Sequence, residues 1–126
     1  MTEIAALTYT VLGIILIIFH LALAVGAPWG RLTMGGFYEG VLPKKLRVAA
    51  VAQALLIVVT IIIVLAKANL WFNSLQSLAS IGIWLVVALF AISSVLNLIT
   101  SSAWERHTGG PASVCMLICS LIIALS

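Results

Sequence analysis

Residues 47–67 read RVAAVAQALLIVVTIIIVLAK, and this stretch decides the fold class. Between Arg47 and Lys67 no residue carries a formal charge, and only Gln53 and Thr60 are polar. The hydrocarbon core of a bilayer is about 30 Å thick and needs about 20 apolar residues in helical form. The stretch therefore predicts a transmembrane helix that begins and ends at a positive charge.

Three more apolar runs extend this prediction to the whole chain. Of the 126 residues, 64% are hydrophobic and 7% are charged, whereas a soluble domain carries about 25% charged residues. We predict an all-α integral membrane protein, a four-helix transmembrane bundle that forms one domain over residues 1–126. The predicted helices cover about 4–25, 47–66, 78–100 and 112–125, and a glycine-rich cytoplasmic loop covers 26–46. The last run is short, since at 1.5 Å per residue it covers roughly 21 Å.

The positive charges predict the orientation of these helices. Four helices place the loops around 26–46 and 101–111 on one side, together with five of the six Lys and Arg residues: Arg31, Lys44, Lys45, Arg47 and Arg106. Only Lys67 falls on the other side. The positive-inside rule then predicts cytoplasmic loops and both termini outside, in a bacterial cytoplasmic (inner) membrane. Lys44, Lys45 and Arg47 are expected to meet anionic lipid headgroups, at about 1 kcal/mol each. No basic face with interleaved aromatics exists, which excludes a nucleic-acid partner.

Polar side chains inside the predicted spans point to a site. Such residues are costly in lipid and by default suggest function. His20, Gln53 and Asn97 fall in the same half of the membrane, and Ser93, Asn97, Ser101 and Glu105 recur every four residues as a stripe on one helix face. We predict a polar pocket that opens to the cytoplasm, with the glycine-rich loop as a lid or re-entrant segment. The candidate ligand-binding residues are His20, Trp29, Arg31, Glu39, Gln53, Asn97, Ser101, Trp104, Glu105 and Arg106.

Each of these residues also has a structural explanation. Asn and Gln side chains often only join helices, at about 0.6 kcal/mol on average. Serine and threonine hydroxyls bond to their own helix backbone. Arg31 and Arg106 would then set topology and pair with Glu39 and Glu105. Trp29 and Trp104 would be interfacial anchors.

A shift of 75 residues aligns the two cytoplasmic loops. Trp29, Arg31, Thr33 and Gly35 then fall on Trp104, Arg106, Thr108 and Gly110. This pattern favours a parallel repeat of two helices plus two helices, the kind related by an axis along the membrane normal. Chance identity explains four matches equally well.

Three classes of function fit this composition. A transporter of the small multidrug-exporter type would carry a glutamate in its first helix, and here none lies between Glu3 and the loop. A membrane-embedded enzyme acting on a lipophilic substrate could use His20, Glu39 and Asn97, but no catalytic motif is present and no catalytic residue is assigned. A binding protein or a purely structural subunit needs the fewest special residues. We favour binding or passage of a small amphipathic ligand or lipid over enzymatic activity, with the membrane-embedded enzyme and the structural subunit as the alternatives.

Neither a cofactor nor a metal ion is expected. Cys115 and Cys119 lie four residues apart in the last apolar run and are read as core residues, because no metal-ligand spacing accompanies them. The small size of the bundle favours a homo-oligomer, with Ala22, Gly26 and Ala88 as surfaces for close packing.

The order of several short motifs resembles small four-helix bacterial inner-membrane protein families of unassigned activity. The motifs are His20, GAPWGR at 26–31, EGVLP at 39–43 and NLITSSAWER at 97–106. The resemblance covers most of the chain. It implies a four-helix inner-membrane protein and supplies no catalytic role.

Overall fold

The protein is an all-α bundle of four long helices. The computed structural model describes residues 1–29, 40–99 and 103–126, with the side chains of 103–105 and 108 left aside. The helices are α1 (Thr2–Ala24), α2 (Lys44–Lys67), α3 (Gln76–Ile99) and α4 (Ala103–Ala124), with one 3₁₀ turn at Asn73–Leu75. The described ranges contain no strand. The predicted four-helix, all-α architecture is confirmed.

Three of these helices are long and apolar enough to cross a membrane. They are Thr2–Ala24, Lys44–Lys67 and the segment Asn73–Ile99, and Gly109–Ala124 is a shorter apolar helix. Large apolar side chains also cover the outside of the bundle, as at Ile81 and Leu85, which are 70% and 71% exposed. An outer surface of this kind is stable against hydrocarbon and not against water. The bundle is therefore of the membrane type.

The helices follow one another around the bundle in an up-and-down order. α1 packs against α2 and α4, and α3 packs against α2 and α4. Arg47 Nε donates a hydrogen bond of 2.9 Å to Ala24 O, which joins the start of α2 to the end of α1. Lys67 Nζ donates one of 3.2 Å to the backbone oxygen of Ser126, beside the end of α4. We call the first of these ends the connection end and the second the terminal end.

Among the residues that the structure describes, the apolar core shared by all four helices lies towards the terminal end. There, Tyr9 of α1, Val64 of α2, Ile83 of α3 and Ile123 of α4 belong to one buried cluster. Towards the connection end the second apolar cluster is built on Leu23, Leu42 and Ala50, which belong to α1, α2 and the segment between them. Within the described ranges, the α1–α2 pair and the α3–α4 pair therefore share a large apolar core towards the terminal end, whereas the cluster towards the connection end belongs to the α1–α2 pair and its connecting segment.

α4 begins earlier than the sequence predicted. The expected helix was 112–125, and the structure has Ala103–Ala124 with Pro111 inside it. The Gly109–Gly110–Pro111 run resembled a loop because proline cannot donate to the carbonyl four residues back, here that of His107. The His107 carbonyl lies in the first turns of α4, at the connection end, and His107 is exposed. Water or lipid headgroups can therefore donate the missing hydrogen bond to this carbonyl.

The helices match the predicted 75-residue repeat in one respect and differ from it in another. α1 shifted by 75 residues covers 77–99, close to α3 at Gln76–Ile99. Trp104, however, lies inside α4, whereas its counterpart Trp29 lies in the non-helical segment after α1. The two tryptophan motifs therefore have different backbone structures.

We predict that the hydroxyl of Tyr9 stabilises the shared core modestly. Tyr9 is fully buried, its OH donates a 2.9 Å bond to Thr60 Oγ1, and its ring meets that of Phe90 edge-on at 5.6 Å. Tyr9→Phe should lower the free energy of unfolding by about 0.6 kcal/mol, the average for such bonds between membrane helices. A double-mutant cycle with Thr60→Val, measured by reversible unfolding in SDS, isolates the pair. Strictly additive effects of the two substitutions would contradict the prediction.

Candidate functional site

The polar residues inside the spans lie on the buried faces of their helices. Tyr9, Gly13 and Leu23 mark the buried face of α1. His20 lies seven residues after Gly13 and three before Leu23, so helical spacing places it on the same face. Gln53 likewise lies on the buried face of its helix, between the buried residues Ala50 and Ile57 of α2. The two residues therefore point towards neighbouring helices and not towards lipid.

On α3 and α4 the corresponding buried positions are held by serines. Ser94 follows Val86 and Phe90 on the buried face of α3. Ser113 is one turn before Met116 on α4, and both are buried. Neither serine was predicted from the sequence, because a serine hydroxyl in a helix ordinarily bonds to its own backbone. The periodic spacing after Val86 and Phe90 was the signal that could have identified Ser94.

Close approaches between helices fix the depth of His20 relative to Gln53. A Cβ built on Gly13 would lie 2.7 Å from Ile61 Cδ1 and 3.5 Å from Ile57 Cγ2, so Gly13 faces residues 57–61. The helices run antiparallel, and His20 is seven residues beyond Gly13. His20 is therefore level with residues 50–54 of α2, a range that includes Gln53.

The two serines lie at the same depth as His20 and Gln53. A Cβ on Gly82 would lie 3.3 Å from Ile63 Cδ1, so Ser94, twelve residues further along α3, is level with residue 51. That is about 3 Å along the axis from Gln53 at 1.5 Å per residue. A Cβ on Gly109 would lie 2.7 Å from Asn97 Oδ1, which places Ser94 level with residue 112, beside Ser113. We call His20, Gln53, Ser94 and Ser113 the polar layer.

Two polar atoms of this layer are buried without a hydrogen-bond partner. They are Gln53 Oε1 and Ser94 Oγ, and the Ser94 side chain is only 4% exposed. Several other hydroxyls of the helices behave differently. Those of Thr10, Thr60, Ser80, Ser113 and Ser120 each donate to a carbonyl three or four residues back in their own helix. An unpaired buried polar group costs about 1–3 kcal/mol and calls for an explanation.

His20 and Asn97, by contrast, are bonded within their own helices. His20 Nδ1 lies 2.7 Å from Leu16 O, and because a carbonyl only accepts, Nδ1 carries the proton. Asn97 Nδ2 donates a 2.7 Å bond to Ser93 O, while its Oδ1 faces Gly109 of α4. Across the described ranges no hydrogen bond joins His20, Gln53 and Asn97 to one another. Asn97 therefore acts as a contact between α3 and α4.

The predicted stripe of polar residues does not run along one helix. Ser93 and Asn97 share a face of α3, but α3 ends at Ile99 and Glu105 belongs to α4. The prediction was wrong on this point because it applied the spacing of a single helix to residues that belong to two different helices. Ser101 lies outside the described residues.

Trp29 returns onto the end of α1. Its ring is parallel to that of Phe19, with centroids 6.1 Å apart, and the ring of His20 meets Phe19 edge-on at 5.5 Å. A hydrogen bond of 2.9 Å from Ala27 N to Ala22 O turns the chain back at this point. Trp29 is 43% exposed, so it covers the connection end of α1 and remains partly accessible.

The remaining candidate residues are at the connection end or outside the described part. Arg106 is exposed near the start of α4. Arg31 and Glu39 lie outside the described residues, as does most of the glycine-rich segment between them. Trp104 and Glu105 lie in α4, and their side chains are outside the described part. Among the cysteines, Cys119 is in the shared core and Cys115 packs against it, both as free thiols.

The arrangement at the connection end is therefore a layer of small and polar side chains between two helix pairs. Ala50, Ala54, Ser94, Gly110 and Ser113 are its buried members. They occupy about the depth at which His20 and Gln53 lie on α1 and α2. No protein-family model, curated protein or solved structure matches this chain.

Proposed function

We propose that the protein binds, or passes, a small amphipathic molecule or lipid between its α1–α2 and α3–α4 pairs at the connection end. The single observation that carries the proposal is the pair of buried, unpaired polar atoms, Gln53 Oε1 and Ser94 Oγ. A structural bundle gains nothing from such groups, since alanine or leucine would pack there at lower cost. A ligand with a polar group at this depth would pair with both atoms.

The distribution of apolar clusters supports the same position. Among the described residues, the large core shared by four helices lies towards the terminal end, and the cluster towards the connection end joins α1, α2 and the segment between them. A molecule could therefore enter between the two helix pairs at the connection end without disrupting the shared core. Trp29, stacked on Phe19, would be near its path.

A structural subunit is the second candidate. The bond from Arg47 to Ala24 O and the Asn97–Gly109 contact are interactions that a purely structural bundle would also make. This reading predicts no bound molecule. The enzyme reading depends on Glu39, which lies outside the described residues.

The setting of the protein is part of the proposal. The excess of Lys and Arg at the connection end favours a cytoplasmic connection end and external termini in a bacterial cytoplasmic membrane. Lys44 and Lys45 are exposed there and would meet anionic headgroups, while Arg47 is half-buried with its Nε bonded to Ala24 O. A homo-oligomer fits the small bundle and its exposed apolar surface.

Native mass spectrometry of protein released from gentle detergent tests the proposed function. We expect wild-type protein to retain a defined small molecule and Ser94→Ala to lose it. Ser120→Ala is the matched control, because Ser120 is also buried but its hydroxyl is bonded to Leu117 O. The same bound mass in all three proteins, or in none of them, would contradict the proposal.

A further inference from the structure

The charge pattern restricts which polar group can reach the polar layer. Residues 4–25, 48–66, 68–99 and 107–126 contain no Asp, Glu, Lys or Arg. An ion brought among these helices would meet no Asp, Glu, Lys or Arg side chain within these ranges, and His20, the one imidazole of the polar layer, already uses its Nδ1 in the bond to Leu16 O. The cost of desolvating the ion would therefore be largely uncompensated. The group that reaches Gln53 and Ser94 must therefore be uncharged.

The unpaired atoms restrict the chemistry further. Gln53 Oε1 only accepts hydrogen bonds, so a ketone, ester or quinone oxygen cannot pair with it. The Ser94 hydroxyl can donate and accept. A free hydroxyl on the ligand does both, and, unlike a carbonyl oxygen, which pairs with the Gln53 amide only when Nε2 faces the site, it pairs with that amide in either orientation. An alcohol is thus the simplest uncharged group that satisfies both residues.

The depth of the layer favours a lipid over a water-soluble alcohol. Gln53 is nine residues into α2, about 14 Å from its first residue at 1.5 Å per residue. A phospholipid headgroup is held at the membrane surface by its charge, whereas an uncharged lipid alcohol can move deeper into the hydrocarbon. Exposed apolar side chains lie at the same depth on the outer faces of these two helices, as at Leu55 and Val95, which are 63% and 56% exposed. Acyl chains could lie along them.

We propose that the polar layer binds the free hydroxyl of an uncharged lipid alcohol, with a diacylglycerol as the model ligand. The inference rests on the proposed function and names the class of its ligand. The Gln53 amide and the Ser94 hydroxyl hold the alcohol, and the acyl chains remain in the bilayer between the two helix pairs.

Three lipids that share their acyl chains test this assignment: dioctanoylglycerol, its acetate ester and dioctanoyl phosphatidate. Each is titrated against wild type, Ser94→Ala and Ser120→Ala in detergent, with the bound fraction read by native mass spectrometry. We expect dioctanoylglycerol to bind wild type and Ser120→Ala alike. The acetate and the phosphatidate should bind wild type about tenfold or more weaker than dioctanoylglycerol does. Dioctanoylglycerol should bind Ser94→Ala weaker than wild type by a similar factor, the effect of losing a buried hydrogen bond.

The other outcomes overturn the assignment in distinguishable ways. Equal or tighter binding of phosphatidate that depends on Ser94 would refute an uncharged alcohol and leave the proposed function standing. Displacement of dioctanoylglycerol by free glycerol would show that the site takes a water-soluble polyol and not a lipid. If none of the three lipids binds in a Ser94-dependent way, both the assignment and the proposed function fail.

Discussion

Gln53→Leu is expected to make the protein more stable and to weaken ligand binding. Gln53 Oε1 is buried without a partner, and leucine has a similar volume with no polar atom to desolvate. Removal of that cost should raise the free energy of unfolding by about 1–2 kcal/mol. The same substitution removes the amide that the ligand needs, so dioctanoylglycerol binding should fall by at least about tenfold.

Reversible unfolding in SDS and ligand titration measure the two effects on the same samples. Gln76→Leu is the matched control, because Gln76 is the only other glutamine and lies at the start of α3, at the terminal end. It should change neither stability nor binding by a comparable amount. A loss of stability in Gln53→Leu would mean that the amide joins helices, and the ligand site would then lose its main support.

The contact between Asn97 and Gly109 should show strong energetic coupling. A Cβ on Gly109 would approach Asn97 Oδ1 to 2.7 Å, while Asn97 Nδ2 is held by Ser93 O. Gly109→Ala gains about 1 kcal/mol in helix propensity, and the collision offsets this gain through overpacking of about 1–3 kcal/mol. The single variant should therefore be no more stable than wild type, and Gly109→Ala in an Asn97→Ala background should be stabilising.

A double-mutant cycle measures this coupling. We expect an interaction energy of about 1–2 kcal/mol, within the range found for residues in contact. Gly40→Ala is not a suitable control, because Gly40 has φ +82°, a conformation that alanine tolerates poorly. Ala112→Gly in the same two backgrounds is a better control, since it changes the helix propensity of α4 at a residue outside the Asn97–Gly109 contact. Equal effects of Gly109→Ala in both backgrounds would show that Asn97 does not fix the approach of α4.

The hydrophobic pattern predicted the first three helices closely, because their ends coincide with polar or charged residues or, at the end of α1, with Gly26 and Pro28. α2 was expected at 47–66 and covers Lys44–Lys67, and α1 was expected at 4–25 and covers Thr2–Ala24. The start of α4 was missed by nine residues. Local propensity at Gly109, Gly110 and Pro111 indicates a loop, and only the tertiary contact with Asn97 explains why a glycine is needed inside a helix there.

The site was only partly visible in the sequence. His20 and Gln53 were identified by their cost in lipid, and the structure places both on buried faces at one depth. Ser94 was missed, since a serine in a helix ordinarily bonds to its own backbone, as Ser113 and Ser120 do. Whether a hydroxyl is paired depends on its rotamer and neighbours, and these follow from packing that periodicity does not specify.

The most direct test of the account is an NMR spectrum of protein labelled with ¹⁵N in its glutamine side chains. The chain has two glutamines, so the spectrum contains the side-chain amides of Gln53 and Gln76, and Gln53→Leu assigns them. On titration with dioctanoylglycerol, the Gln53 amide should shift to saturation and show a nuclear Overhauser effect to the glycerol protons, while Gln76 stays unchanged. A Gln53 amide that does not move, while the lipid is saturating in the detergent micelle, would contradict the claim that this layer is a ligand site.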